Sequence, residues 1–298
     1  MNKTIYWLCR PWFFIIIFAF LLTPTVKITN AIESGADFLN TTIGARPSAM
    51  GNASVALSND INAAQTNPAG LADLNARQFG AMHSRQYFDT NLDFIGIAFP
   101  SKAIGTLALS LTRLGHEKIQ QRTINRQAQG DFKAYDQTIN LSAGKSLTSQ
   151  TNAGINLKLI TSEIAGEKAE TAAIDLGITH KFKNKPITAG ITAKNIGPGL
   201  KYINQRDPLP LSITLGMAYD LIPGFRLAMD VKRLIYDKEN TISLGTEYQV
   251  VNGLYLRAGY MAAGNQKQKA GPENITGGVG IKLLGSTSGF IMFLTVLK

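Results

Sequence analysis

Cysteine is all but absent from this 298-residue chain: Cys9 is the only one, and it lies ahead of an apolar run instead of just behind one. That position does not suit a lipoprotein attachment site, and with no second cysteine both disulfides and thiolate metal clusters are excluded. Stability must therefore come from packing and backbone pairing. Histidine is nearly as scarce, and His83, His116 and His180 lie far apart, with no spacing that suits a metal site or a catalytic triad. Lys and Arg are scattered singly, without a run of five, which argues against nucleic-acid binding. Gly144-Lys145-Ser146 has the ending of a phosphate-binding loop, but Ile139 stands where such a loop needs glycine, and the surroundings read as strand. Asn40-Thr41-Thr42 is a chance glycosylation match. No catalytic, metal or cofactor site is expected, and no enzyme.

Long apolar runs are missing too. Past the first thirty residues no segment reaches the ~18 consecutive apolar residues of a helical membrane span. The first residues carry a different signal: Lys3 and Arg10, an apolar run from Trp12 to Leu22, then Thr29-Asn30-Ala31 as a small-residue cleavage site. That run is shorter than the ~20 residues needed to cross a bilayer, so 1–31 reads as a cleaved signal peptide and the protein as exported. Thirty basic residues less the three in the signal, against twenty acids, leave a mature charge of +7.

What the chain has in abundance is period-two alternation. In Phe225 to Lys232, Phe, Leu, Met and Val alternate with Arg, Ala, Asp and Lys; Leu211, Ile213, Leu215, Met217 and Tyr219 alternate with Ser212, Thr214, Gly216, Ala218 and Asp220. The segments run about ten to thirteen residues, longer than a soluble strand of ~5–6 and close to the ~9–11 of a tilted membrane-spanning strand. Short connections such as Lys183–Pro186 and Val251–Gly253 alternate with long ones such as Gly115–Tyr135, Gly197–Leu209 and Ala262–Glu273. Together these features predict an all-β fold, a transmembrane antiparallel β-barrel of the bacterial outer membrane over 76–298. Gly177, Gly190, Gly216, Gly245, Gly259, Gly278 and Gly280 all fall on the polar face, where glycine is useful only if another backbone comes close. The same face carries Lys158, Lys194, Arg226, Lys232, Arg257 and Lys282 against Asp175, Asp230 and Glu247, a mildly positive lumen whose charges either pair with each other and with the plug, filling the barrel, or draw anionic solutes inward.

The stretch from Gly35 to Leu71 fits none of this. It is rich in Gly, Ala, Ser and Asn and keeps no period for long. Ser58, Asn59 or Asp60 is placed to cap a short helix through Ala64 and Gln65, and Asn67-Pro68 stops it before Pro68-Ala69-Gly70 turns the chain into the first strand. The segment 32–75 is expected to be a plug inside the barrel. Its words Phe38-Leu39, Gly44-Ala45-Arg46, Ala49-Met50-Gly51, Val55-Ala56, Asp60 and Asn67-Pro68-Ala69-Gly70-Leu71 resemble the N-terminal signature of the PorV/PorQ family of outer-membrane barrels, and more distantly the FadL-type long-chain fatty-acid transporters. The resemblance implies a hatch within a barrel of fourteen strands, with Gly44, Arg46, Met50, Gly51, Asn67, Pro68, Ala69 and Gly70 as its plug or gate motif. It implies passage or binding of small hydrophobic solutes or, for PorV-like members, a type IX secretion role with exported proteins as partners. Outer-membrane lipid and the barrel assembly machinery are expected partners in either case.

The alternation yields thirteen strands, the last over 289–297, where single-chain bacterial barrels close with even counts. Gly289 to Leu297 is also apolar on both faces and lacks a terminal aromatic residue. The expectation is a reading frame truncated or shifted after about Lys282, and a complete barrel of fourteen strands.

Overall fold

A computed structural model describes residues 34–281, apart from 58, 87–89, 126, 203 and 264–273. The signal segment, Lys282 and the thirteenth strand expected over 289–297 lie outside the described residues, as does most of the connection 262–273.

Twelve strands form one antiparallel sheet, each paired with its neighbours in sequence: β1 Gln78–Arg85, β2 Thr90–Ser101, β3 Gly105–Arg122, β4 Ala128–Ser146, β5 Thr151–Ile164, β6 Glu167–Lys181, β7 Ile187–Ile196, β10 Ser212–Ile222, β11 Phe225–Leu234, β12 Asn240–Val251, β13 Leu254–Ala263 and β14 Ile275–Ile281. Two short strands, β8 Leu200–Tyr202 and β9 Gln205–Asp207, make a separate hairpin between β7 and β10. The short connections are tight where turn residues allow it. Pro223-Gly224 and Asn252-Gly253 join strands whose flanking pairs are Ile222 with Phe225 and Val251 with Leu254, and each glycine takes the positive φ that such loops need, 82° and 93°.

The sheet is inside out by the standards of a water-soluble protein. On the outer face Leu141 is 53% exposed and Leu159 61%, while on the inner face Lys158 is 3% exposed and Asp175 1%. Apolar side chains outside and charges buried inside suit a wall with lipid on its convex side. Among the described residues no helix is long and apolar enough to cross a membrane.

The connections the alternation leaves as long loops over Gly115–Tyr135 and Glu163–Ala169 are largely strand instead. The β3–β4 ladder continues to Arg122 opposite Ala128, with register shifts between His116 and Ile119 and again at Arg122, and β5 and β6 turn directly at Ala165-Gly166. Hairpin pairing satisfies the backbone there without needing one apolar face, so alternation alone underestimates these strands. The connection after β7 folds inward: Leu200 and Leu209 are buried with Phe38, Ile160, Ala169 and Ala173.

Ahead of β1 the chain makes short helical turns at Asp37–Asn40, Ala45–Ala49, Ala63–Thr66 and Pro68–Asp73. Asp60 accepts from the Asn62 backbone N–H at 2.9 Å, steadying the entry to Ala63–Thr66. Asn67 ends that turn in an extended conformation, and its Oδ1 accepts from Ala69 N–H, so it caps Pro68–Asp73. The expected turn at Pro68-Ala69-Gly70 is thus a 3₁₀ helix running on to Asp73. One apolar cluster joins Ile43, Ile61, Leu71 and Leu74 to Leu92 and Phe94; another joins Met50, Ala53 and Leu57 to Ala218 and Ala228.

Candidate functional site

The N-terminal segment reaches the inner face of all twelve strands. Ile61 sits at Gly80 of β1 and Gly96 of β2, and Gln65 Nε2 donates to Ser110 and Thr112 of β3 at 3.3 and 3.2 Å. Pro68 lies on Gly144 of β4 and Gly154 of β5, and Asn67 on Gly177 of β6. Val55 covers Gly190 of β7 and Gly216 of β10, and Ser54 and Val55 donate to Asp230 of β11. Met50 lies on Gly245 of β12 and, with Gly51, on Gly259 of β13, while Gly51 N–H donates to Thr276 of β14 at 3.0 Å. The sheet therefore curls around this segment as a barrel wall around a plug.

The glycines at these contacts face one another across the ladder: Gly80 with Gly96, Gly144 with Gly154, Gly154 with Gly177, Gly190 with Gly216, and Gly245 with Gly259. A Cβ on Gly245 would stand 2.6 Å from the Met50 carbonyl oxygen, and one on Gly144 2.6 Å from that of Pro68. Each lies below any tolerable contact, so the belt lets plug backbone rest on wall backbone. Five of the seven glycines singled out from the sequence belong to it. Gly278 instead pairs with Arg257, and Gly280 packs on the Arg257 guanidinium. Gly80, Gly96, Gly144 and Gly154 were not anticipated, although Gly154 falls on the polar face of its own strand.

The plug motif is held by polar contacts. Asn67 is fully buried, and its Nδ2 donates to the Val55 carbonyl at 2.8 Å and to the wall carbonyl of Ile178 at 3.3 Å. Gly70 N–H donates to the Asn67 carbonyl, and Ala69 and Gly70 are buried. Gly44 takes a φ of 103° just before Ala45–Ala49, leaving its carbonyl to accept from Ser48. Arg46 spans plug and wall: Nε and Nη2 each donate to Glu247 at 2.8 Å, and Nη1 donates to Asn59 at 2.7 Å, with Asp60 at 3.4 Å. Burial opposes the Arg46 charge, but Glu247 and Asp60 more than offset it, so its pKa is raised. Arg257 closes the group by donating to Glu247 at 2.7 Å.

The remaining charges of the polar face separate into four groups. Lys158 is paired with Asp175 at 2.8 Å and donates to Asn195 at 2.8 Å, deep in the wall between β5, β6 and β7. Asp175 accepts from Asn156 at 3.0 Å and from the Asn195 backbone N–H at 2.8 Å, where β6 and β7 shift register. Asp230 accepts from the Ser54 and Val55 amides at 2.7 and 2.9 Å. Arg226 sits beside the 223–224 turn, bound to Asp220, so it belongs to the barrel rim more than to the lumen. Lys194 and Lys232 differ from all of these. Lys194 Nζ donates to the Gln65 carbonyl at 2.8 Å, Lys232 Nζ reaches Asn40 Oδ1 at 3.5 Å, and neither is ion-paired among the described residues.

Those two lysines line a cavity of about 450 Å³ between the Asp37–Ile43 turn and the Asn52–Val55 and Gln65–Thr66 parts of the plug. Its wall is a belt of hydroxyls that includes Thr112, Thr138, Thr192 and Thr214. The sequence reading missed the plug side of these ties at Gln65 and at Asp73, the latter accepting from Lys181 at 2.7 Å and Asn152 at 3.0 Å. A plug keeps no period, so its wall-facing positions carry no pattern to find. Among the described residues no cluster of His, Cys, Asp or Glu is arranged to hold a metal.

The fold has solved counterparts. The Pseudomonas putida toluene transporter TodX superposes with a TM-score of 0.60 at 17% identity, covering 81% of this chain and 89% of TodX. The Ralstonia pickettii toluene transporter TbuX gives 0.61 at 14%, covering 82% and 90%. A Pseudomonas aeruginosa FadL homologue gives 0.57 at 10%, covering 83% and 87%. At such identities the likeness is one of fold, that of a FadL-like outer-membrane β-barrel. No family model matches the chain, and no curated protein matches it in sequence.

Proposed function

We propose that this chain is an outer-membrane channel for small hydrophobic molecules, gated by its N-terminal plug, Gly35 to Leu71. The observation that carries the reading is the way the plug is held. It covers the inner face of each strand of the twelve-stranded sheet, and beside two apolar clusters and the glycine contacts it is tied to the wall by hydrogen bonds and ion pairs, Arg46 with Glu247, Ser54 and Val55 with Asp230, and Gln65 with Lys194. Ties of that kind exchange with water at modest net free energy, so the plug can shift while the ladder that forms the wall stays paired. The hydrophobic class of solute is supported by the fold shared with two proteins described as toluene transporters and with a FadL homologue. Export through a cleaved signal and residence in the bacterial outer membrane belong to the same proposal. Deleting Gly44–Leu71 should raise conductance in planar bilayers and uptake of toluene while a folded barrel still forms. Equal conductance from intact and deleted proteins, both folded, would overturn it.

A second reading, a PorV-like accessory of type IX secretion that receives exported proteins at the surface, is favoured by the β3–β4 hairpin. Its ladder runs on past the last β2 partner, His116, and past Lys133, whose carbonyl accepts from Ala165 N–H, so outward of these, among the described residues, its two strands pair in the ladder with each other alone. If that hairpin is the working part, removing residues 119–131 should abolish co-purification of exported proteins and leave toluene uptake intact. Unchanged co-purification would reject it.

A further inference from the structure

We infer that the outer foot of β1–β4, at the short-turn end of the wall, is a docking site for an anionic glycerophospholipid whose headgroup is held by Arg77, Lys102 and Lys145. Alternation fixes which way two of these point. Lys145 is exposed and follows Leu141 and Ala143 on the outer face of β4, and Arg77 is exposed and precedes Phe79 on the outer face of β1. The Arg77 guanidinium stands 6.0 Å from the ring centre of Phe99, an outward residue of β2. Lys102 lies exposed in the β2–β3 turn, and the Lys145 Cβ stands 3.1 Å from where a Cβ on Gly105 would be, just where that turn ends. Three cations from separate parts of the chain thus gather below one stretch of outer wall.

No acid balances them. The segments that build this foot, 74–81, 95–110 and 140–155, contain neither Asp nor Glu, and among the described residues none of the three cations is in an ion pair. The nearest acid along the chain, Asp73, is on the plug and is held at 2.7 Å by Lys181, whose register turns it inward. The opposite end of the wall mixes both signs on its outer face, as in Lys168 with Glu170 at 2.6 Å and His83 with Asp93 at 2.6 Å. The apolar neighbours place the cluster at a lipid boundary. Ile104, in the turn beside Lys102, is 59% exposed, and Leu147, just past Lys145, is 63% exposed. Such side chains gain by entering the acyl region while the cations beside them reach the headgroups. Short turns of an outer-membrane barrel face the periplasm, so the leaflet they meet is the glycerophospholipid one. A zwitterionic headgroup would bring its own ammonium to a place that already holds three cations. Phosphatidylglycerol or cardiolipin brings phosphate without it, and forms charge-assisted hydrogen bonds with Arg77, Lys102 and Lys145.

The inference rests on the outer-membrane placement of the chain and is independent of what the channel passes or how the plug moves. Heat-modifiable migration of the detergent-extracted protein reports on that placement by itself, and toluene uptake on the channel.

Native mass spectrometry of the detergent-solubilised mature chain, titrated with dioleoyl phosphatidylglycerol, dioleoyl phosphatidylethanolamine or lipid A, tests the site. Phosphatidylglycerol should be retained several-fold more than phosphatidylethanolamine of the same chains. Arg77→Gln with Lys102→Gln and Lys145→Gln should weaken phosphatidylglycerol at least roughly tenfold, at ~fivefold per cation removed when the effects are partly redundant, and leave phosphatidylethanolamine unchanged. Lys168→Gln, at the other end of the wall, should retain phosphatidylglycerol as the parent does. If the triple variant fails to assemble, Lys102→Gln alone, in an exposed turn, should weaken phosphatidylglycerol by ~fivefold. Equal retention of the two glycerophospholipids, a folded triple or Lys102→Gln variant that keeps phosphatidylglycerol like the parent, or a loss as large with Lys168→Gln would overturn the inference. Lipid A held in preference to phosphatidylglycerol, and released by the same three substitutions, would overturn it too, since the cluster would then serve the other leaflet.

Discussion

Arg46 and Glu247 meet through two hydrogen bonds of 2.8 Å each, one residue on the plug and the other at the middle of β12. The fork-to-fork geometry fixes the Ala45–Ala49 turn against the wall, and Arg257 holds the carboxylate from the other side. The plug is thereby latched at one point whose removal leaves the wall's own charge pair intact.

Replacing Arg46 with Met should loosen the plug without undoing the barrel. Glu247 keeps Arg257, so the wall avoids an isolated buried charge, while the plug loses charge-assisted hydrogen bonds of a kind typically worth ~1.5–3 kcal/mol. Asn59, beside Arg46, becomes a reporter when changed to Cys, because cleavage of the expected signal removes Cys9. Maleimide labelling of Asn59→Cys should be several-fold faster with Arg46→Met than with Arg46 retained, and the unboiled protein should still migrate as a compact species. Equal labelling rates would show that the latch does not restrain the plug.

The Lys158–Asp175 pair lies where water does not reach, and it makes a sharper stability prediction. Asp175→Asn leaves an ammonium buried without a counter-ion and should lower stability by ~3–5 kcal/mol in urea titrations of the lipid-embedded protein. Adding Lys158→Met should recover most of that loss. A double variant no better than the single would mean that Asp175 acts through its bonds to Asn156 and Asn195 instead of through the charge.

Depth in the membrane should be readable from two leucines of one strand region. Leu141, on the outer face near the middle of the part of β4 that pairs with β5, should cost ~2–4 kcal/mol when changed to Arg, and Leu147, just past the end of β4, only ~0–1. Equal penalties at both positions would contradict a bilayer around the β5-paired part of β4.

Alternation and turn chemistry made the wall legible: twelve of the thirteen expected strands are present, most within a few residues of the expected bounds, as with Ile187–Ile196 and Phe225–Leu234. Period two records which face meets lipid, and that is a property of each strand by itself. The extensions of β3 and β4 escaped because a hairpin beyond the membrane has no apolar face to maintain. The glycines of Gly177, Gly190, Gly216, Gly245 and Gly259 were legible as a demand for close approach, but not what approaches them. Gln65 and Asp73 were invisible because they sit in an aperiodic segment while their partners lie on wall strands 45 to 129 residues away, and nothing local distinguishes them from surface residues.

The glycine belt gives the last prediction. A side chain at position 154 would enter the space held by Pro68 and Ala69, and these are backbone atoms of a helical turn, not the yielding end of a long side chain. Gly154→Val should therefore expel the plug's Pro68–Asp73 turn or block assembly. Gly277→Ala serves as the control, since its Cβ would meet only the Arg257 carbonyl oxygen at 3.7 Å. Valine suits a strand in every other respect, so a defect at 154 cannot come from strand propensity. The cause is isolated by a second background: in a protein lacking Gly44–Leu71, Gly154→Val should assemble as well as glycine does, because nothing remains to collide with. Heat-modifiable mobility on gels reads all four proteins. A Gly154→Val defect that persists without the plug would show that glycine serves the wall itself, and that the belt is not shaped by the plug.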